Sequence, residues 1–240
     1  GTTMKVISPF SGAVVENRKL DIRGRSTPCG LVRNGNLIYA TGSGRRIHAF
    51  VAGEYWQQFQ ITSDNDSLIT SMIADDMKLI YSTLAGNVVC VSAQTPDKIW
   101  QYDVQGKITA KLVRENDYIY VASEDTRLYK LSYQNGYPQW DMPFLAGTPI
   151  TVTPTVGKNA VYVPANGKGL YAVDKASGKK IWQLEKGLGM IAEKDKITYA
   201  YALPGQIIAM DNEKAQQVFA VDAFNIEVFA TNHQDSTMYV

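Results

Sequence analysis

Sulfur chemistry and histidine are scarce in this chain. Two cysteines in 240 residues, Cys29 and Cys90, are too few for a disulfide framework and leave the redox compartment open. Two histidines, His48 and His233, exclude a multi-histidine zinc centre. They are also the only bases a serine triad could use, and no nucleophile elbow accompanies them. Charge of one sign is missing as well. The 24 Lys and Arg nearly balance 23 Asp and Glu, for a net +1, so nothing argues electrostatically for nucleic acid or an anionic membrane. No apolar run approaches the roughly 20 residues of a spanning helix. The first residues do not read as a signal peptide, and an export signal removed from upstream of Gly1 stays open. No stretch of ten residues has convincing helical periodicity.

What the chain does have is repetition. The stretch Ala160 to Trp182 shows the unit: a strand Ala160 to Val163, a turn through Asn166-Gly167-Lys168-Gly169, a strand Leu170 to Val173, a turn Asp174 to Gly178, and a third strand from Lys179 to Trp182. Tyr39, Tyr81, Tyr120, Tyr162, Tyr199 and Tyr239 recur in strands of this first kind, at spacings of 42, 39, 42, 37 and 40. Trp56, Trp100, Trp140 and Trp182 follow in step, with Phe219 in the next unit. Between them lie IHAF at 47–50, VVCV at 88–91, LYKL at 128–131, LYAV at 170–173 and IIAM at 207–210. A period near 40 built of short strands fits a β-propeller blade. The segment Met4 to Leu20 reads as the back half of a unit and TMYV at 237–240 as a front half. The expected fold is therefore all-β: one domain, residues 1–240, forming a six-bladed propeller of four-stranded blades. The last blade is closed by strands from both ends.

Val161-Tyr162-Val163, Gly169 to Asp174 and Ser177-Gly178-Lys179-Lys180-Ile181-Trp182 carry a resemblance. They resemble the PQQ-like repeat family, the quinoprotein alcohol dehydrogenase-like or BamB-like propellers. Gly136 with Trp140 and the lone Trp100 match less well, and the fifth unit is poorest, with Phe219 for tryptophan. The resemblance implies export to a bacterial envelope: periplasmic, outer-membrane-associated or extracellular. It does not choose between enzyme and binding scaffold. Quinone enzymes resembling this family carry adjacent cysteines, which Cys29 and Cys90 are not, so no cofactor is expected.

The recurring Tyr and Trp residues read as packing between blades, their polar tips bonded. His48 lies within a strand and reads as a hydrogen-bonded packing residue. Thr41 to Arg46 has the Gly and Arg of a phosphate cradle but joins two strands, so it reads as a hairpin. The strand before each Tyr strand is expected to line the central channel, which gives Thr27, Ser71, Lys111, Thr153, Asn225 and Glu227 as candidate lining residues. A rigid disc of loops without an evident catalytic set points to a non-enzymatic scaffold, monomeric, binding another envelope protein rather than nucleic acid. Tyr55, Tyr133, Tyr137, Phe144 and Leu145 are the candidate contact residues. The alternative is a propeller enzyme or small-ligand binder of lactonase or lyase type at the channel mouth.

Overall fold

Short runs of Val, Ile, Leu and Tyr separated by Gly, Asn and Asp leave the backbone little choice but antiparallel hairpins. The computed structural model describes residues 2–20, 30–41 and 44–224, and the backbone of 230–231 and 238–239. Among these, the one helical element is a single turn of 3-10 helix, Asp64–Asp66. Among the described residues no helix is long and apolar enough to cross a membrane.

The contacts divide the chain into two units, residues 1–104 and 105–240. The first holds a two-stranded ladder, β1 (Thr2–Ile7) and β2 (Val14–Leu20), and two four-stranded sheets. Sheet one is β3 (Leu31–Arg33), β4 (Leu37–Thr41), β5 (Arg46–Val51) and β6 (Gln57–Thr62). Sheet two is β7 (Ile69–Ala74), β8 (Lys78–Thr83), β9 (Asn87–Ser92) and β10 (Lys98–Asp103). The second unit holds three such sheets. Sheet three is β11 (Val113–Glu115), β12 (Tyr118–Ala122), β13 (Arg127–Ser132) and β14 (Phe144–Leu145). Sheet four is β15 (Thr155–Val156), β16 (Ala160–Ala165), β17 (Gly169–Asp174) and β18 (Lys180–Leu184). Sheet five is β19 (Gly187–Lys194), β20 (Ile197–Ala202), β21 (Gln206–Asp211) and β22 (Gln216–Asp222). A ladder of β23 (Ala230–Thr231) and β24 (Met238–Tyr239) follows. Every sheet is an antiparallel meander in chain order.

In sheets one to four the middle strands are buried along nearly their whole length instead of alternating. All five residues of β4 and the central four of β9, β13 and β17 are buried. Continuous burial means both faces of a sheet are covered, and the cores lie between successive sheets. Tyr39, Ile47 and Ile61 of sheet one meet Met72, Leu79 and Tyr81 of sheet two. Sheets three and four share a core of Tyr120, Leu128, Trp140, Val161, Val163 and Tyr171. Tyr162, Ala172 and Trp182 of sheet four pack on Ala200, Ile208 and Met210 of sheet five. The β1–β2 ladder does the same for sheet one: Met4 and Leu20 pack on Ile38, Ala40 and Phe50.

The register corrects the repeat alignment twice. Tyr162, Ala172 and Trp182 stand in one row across sheet four. In sheet one the row is Tyr39, Ala49 and Phe59. Phe59, the third residue of β6, thus fills the place assigned to Trp56, which sits in the preceding turn, 53 % exposed. In sheet two Trp100 pairs with Cys90, and Cys90 with Ile80, while Tyr81 pairs with Val89. One residue of offset puts Trp100 and Tyr81 in different rows. The expected inner strands are also shorter than read: Thr109, Lys111, Thr151 and Thr153 precede β11 and β15 and are not part of them.

Candidate interaction surface

Packing sheet on sheet leaves the phenol and indole tips of the repeat aromatics with nowhere to reach water. One position answers this need, the residue immediately after each third strand. The Tyr39 hydroxyl donates to the Ala93 carbonyl at 2.7 Å and accepts from Asn34 Nδ2 at 3.1 Å. The Trp140 Nε1–H donates to the Lys175 carbonyl at 3.1 Å, and the Lys130 ammonium to the same oxygen at 2.7 Å. The Trp182 Nε1–H donates to Asn212 Oδ1 at 2.7 Å. Ala93, Lys175 and Asn212 are the first residues after β9, β17 and β21. Among the described residues no buried side-chain polar atom lacks a partner, as low-dielectric packing requires. Burial raises the phenol pKa of Tyr39 and Tyr81 to about 12 and pushes Tyr120 and Tyr162 up further.

The fullest of these junctions joins sheets four and five. The Tyr162 hydroxyl donates to Glu193 Oε1 at 2.7 Å, accepts from Asn212 Nδ2 at 3.0 Å and lies 2.5 Å from the Thr198 hydroxyl. Glu193 also accepts the backbone N–H groups of Lys158 and Asn159. Sequence reading missed Glu193 and Asn212 because they are 19 residues apart and joined only by register. It could have found Lys130. This lysine pairs with Tyr120 where the other repeats set Ala49, Val89, Ala172 and Ala209 against their tyrosines. Its ammonium lies 3.9 Å from the Tyr118 ring centroid, and desolvation lowers its pKa. His48 is buried, with Nδ1 2.6 Å from Gln57 Oε1 and its ring stacked on Phe50.

The five candidate contact residues separate. Tyr133 is buried because it occupies the position after a third strand, following β13, with the Arg114 guanidinium 3.6 Å from its ring centroid. Phe144 is buried edge-on against Tyr171, centroids 5.3 Å apart. Both leave the set of exposed loop residues. Tyr55 is half-buried; its hydroxyl donates to Glu16 at 2.6 Å and so ties the turn after β5 to β2. Tyr137 at 69 % and Leu145 at 61 % are exposed, as is Met142 between them. Of the candidate channel residues, Thr27, Asn225 and Glu227 lie outside the described residues. Ser71 is buried in β7. Lys111 and Thr153 come together: the Lys111 backbone N–H donates to Thr153 Oγ1 at 3.0 Å. In the Thr41–Arg46 stretch, Gly42 and Ser43 lie outside the described residues, and Arg45 is spent on Asp66 at 2.5 Å. A depression of about 350 Å³ opens between the turns at 34–37, 76–77 and 93–94, with Asp76 held by the Gly35 N–H. Among the described residues no three His, Cys, Asp or Glu side chains cluster as metal ligands would.

Four-stranded antiparallel meanders in series, with Tyr39, Trp140 and Trp182 bonded across junctions between neighbouring sheets of each unit, define a β-propeller of PQQ-like repeats. Residues 84–225, more than half of the chain, match the family described as outer membrane protein assembly factor BamB; the chain belongs to that family. No curated protein sequence matches it. Among solved structures it is similar to BamB from Moraxella catarrhalis, with a TM-score of 0.61 at 14 % identity over 82 % of this chain. It is also similar to the computationally designed Ika8 protein, with a TM-score of 0.65 at 16 % identity over 87 % of this chain. The chain spans 65 % of the length of each. At such identities the likeness speaks for the fold alone, and a fold does not by itself fix a function.

Proposed function

We propose that the chain is a non-enzymatic scaffold of the bacterial cell envelope that binds another protein through its propeller loops. The family match over residues 84–225, to a family described as an assembly factor, carries this reading. Where the residues go agrees with it. Most of the repeat aromatics are buried in packing between sheets, which leaves the exposed turns of a rigid frame for contact. Tyr137, Met142 and Leu145, exposed around β14, supply apolar contact area. The reading takes residues 1–240 as one six-bladed domain, the sixth blade assembled from the β1–β2 and β23–β24 strands. Cross-linking of the purified chain in envelope extracts tests it. Stoichiometric capture of a defined protein is expected, and Tyr137→Ser with Leu145→Ser should weaken it while the melting curve stays in place. Stoichiometric quinone or calcium binding with dehydrogenase or lactonase turnover would overturn it.

A further inference from the structure

The turns at one end of sheets four and five carry charge that the net +1 of the chain conceals. Each sheet has two turns at this end, joining its first strand to its second and its third to its fourth. In sheets four and five these are residues 157–159, 175–179, 195–196 and 212–215. They hold Lys158, Lys175, Lys179, Lys196 and Lys214 against only Asp195 and Glu213. Lys180 and Lys194, both exposed, flank them. The matching turns of sheets one and two, residues 34–36, 52–56, 75–77 and 93–97, hold Glu54, Asp75, Asp76 and Asp97 and no Lys or Arg. The basic character is therefore a property of these four turns and not of the repeat.

Hydrogen bonds tie the four turns into one surface. The Lys175 ammonium donates to the Gly157 carbonyl at 2.9 Å. Asn159 Nδ2 donates to the Asp195 carbonyl. The Asn212 N–H donates to the Lys196 carbonyl at 2.9 Å. Acids beside the patch are engaged within it: Glu193 in the Tyr162 junction, Asp174 on Ser177, Asp211 on the N–H groups of Glu213 and Lys214. Lys175 is paired with Glu115 and Lys196 with Glu213, so Lys158, Lys179 and Lys214 supply the excess positive charge of these joined turns, which attracts anions.

We infer that this patch docks an acidic segment of a partner polypeptide, an inference that rests on the scaffold reading above. Side-chain chemistry selects this class. The turns contain no aromatic side chain on which a base could stack and no arginine fork for phosphate. They contain no large apolar residue to insert into a bilayer. The lysines here already take carboxylates: Lys196 pairs with Glu213 and Lys175 with Glu115.

The test is fluorescence anisotropy of the full chain with a labelled peptide of alternating Asp, Glu and Ser, at about 50 and about 300 mM salt. A variant with Lys158→Glu, Lys179→Glu and Lys214→Glu is compared with a control of equal charge change, Lys5→Glu, Lys19→Glu and Lys168→Glu. The expected result is binding that fades at the higher salt, weakened about tenfold or more by the patch variant and less than about threefold by the control. Equal losses in both variants, or tighter binding of duplex DNA or phosphatidylglycerol vesicles than of the peptide, would overturn the inference. If the patch variant still captures the same envelope protein as the wild type, the patch falls and the scaffold reading stands. If the wild type captures none, the scaffold reading falls, and the peptide titration alone decides what the patch binds.

Discussion

Replacing Asn212 with Ala should cost more stability than any deletion of one hydroxyl at the same junction. The Asn212 side chain is buried and accepts the Trp182 indole N–H at 2.7 Å while donating to the Tyr162 hydroxyl at 3.0 Å and Thr198 Oγ1 at 2.9 Å. Alanine keeps the backbone bond to Lys196 but leaves the buried Trp182 N–H with no acceptor. An orphaned buried donor costs about 1–3 kcal/mol, and each lost bond whose partner finds another about 0.5–1.5 kcal/mol. With two such bonds lost the sum is about 2–6 kcal/mol. Tyr162→Phe is milder, at about 1–2 kcal/mol, because Glu193 and Thr198 both keep Asn212 as a partner. The double variant should cost less than the sum, since the two side chains share a bond. Urea unfolding reads this as midpoint shifts at constant slope, and thermal unfolding as a loss of roughly 4–24 °C for Asn212→Ala. A cost for Asn212→Ala below that of Tyr162→Phe, or strict additivity, would refute the assignment of Asn212 as the shared partner.

Gly178, at φ +73°, would put a Cβ 2.6 Å from Trp140 Cδ2, whereas Gly167, at φ +71°, would meet nothing. Gly178→Ala should therefore lower the melting temperature well beyond Gly167→Ala, which pays only about 1 kcal/mol of left-handed strain. Stability should fall as pH rises above about 10, because phenols ordinary in the unfolded chain are held neutral in the fold, Tyr39 and Tyr81 up to about 12. Their contribution is complete below the unfolded pKa and disappears through the folded one; a flat unfolding free energy from pH 9 to 11 would contradict it. Cys90 is a buried free thiol with its pKa pushed to about 12, so it should react with a thiol reagent only after denaturation. Removing residues 2–20 uncovers Ile38, Ala40 and Phe50 and should cause aggregation or a sharply lower melting temperature.

Local chemistry wrote the repeat into the sequence. Strand length, turn residues and apolar runs act over a few residues, so the all-β class and the meander could be read from Ala160 to Trp182, and the period near 40 from the spacing of the recurring tyrosines. Burial of Tyr39, Tyr120, Tyr162, Trp140, Trp182 and His48 with bonded tips followed from the same repetition, whereas Trp56 is exposed. Non-local stacking decided the rest. A one-residue offset in sheet two separated Trp100 from Tyr81, and a turn that runs on through Trp56 gave its place to Phe59. Tyr133 and Phe144 look like loop aromatics in the sequence, but the position after a third strand and the ring of Tyr171 claim them. Glu193 and Asn212 become neighbours only through the strand register of sheet five, and the lysines of four separate turns only when sheet five stacks on sheet four, because residues far apart in a chain meet through pairing and packing and not through local propensity.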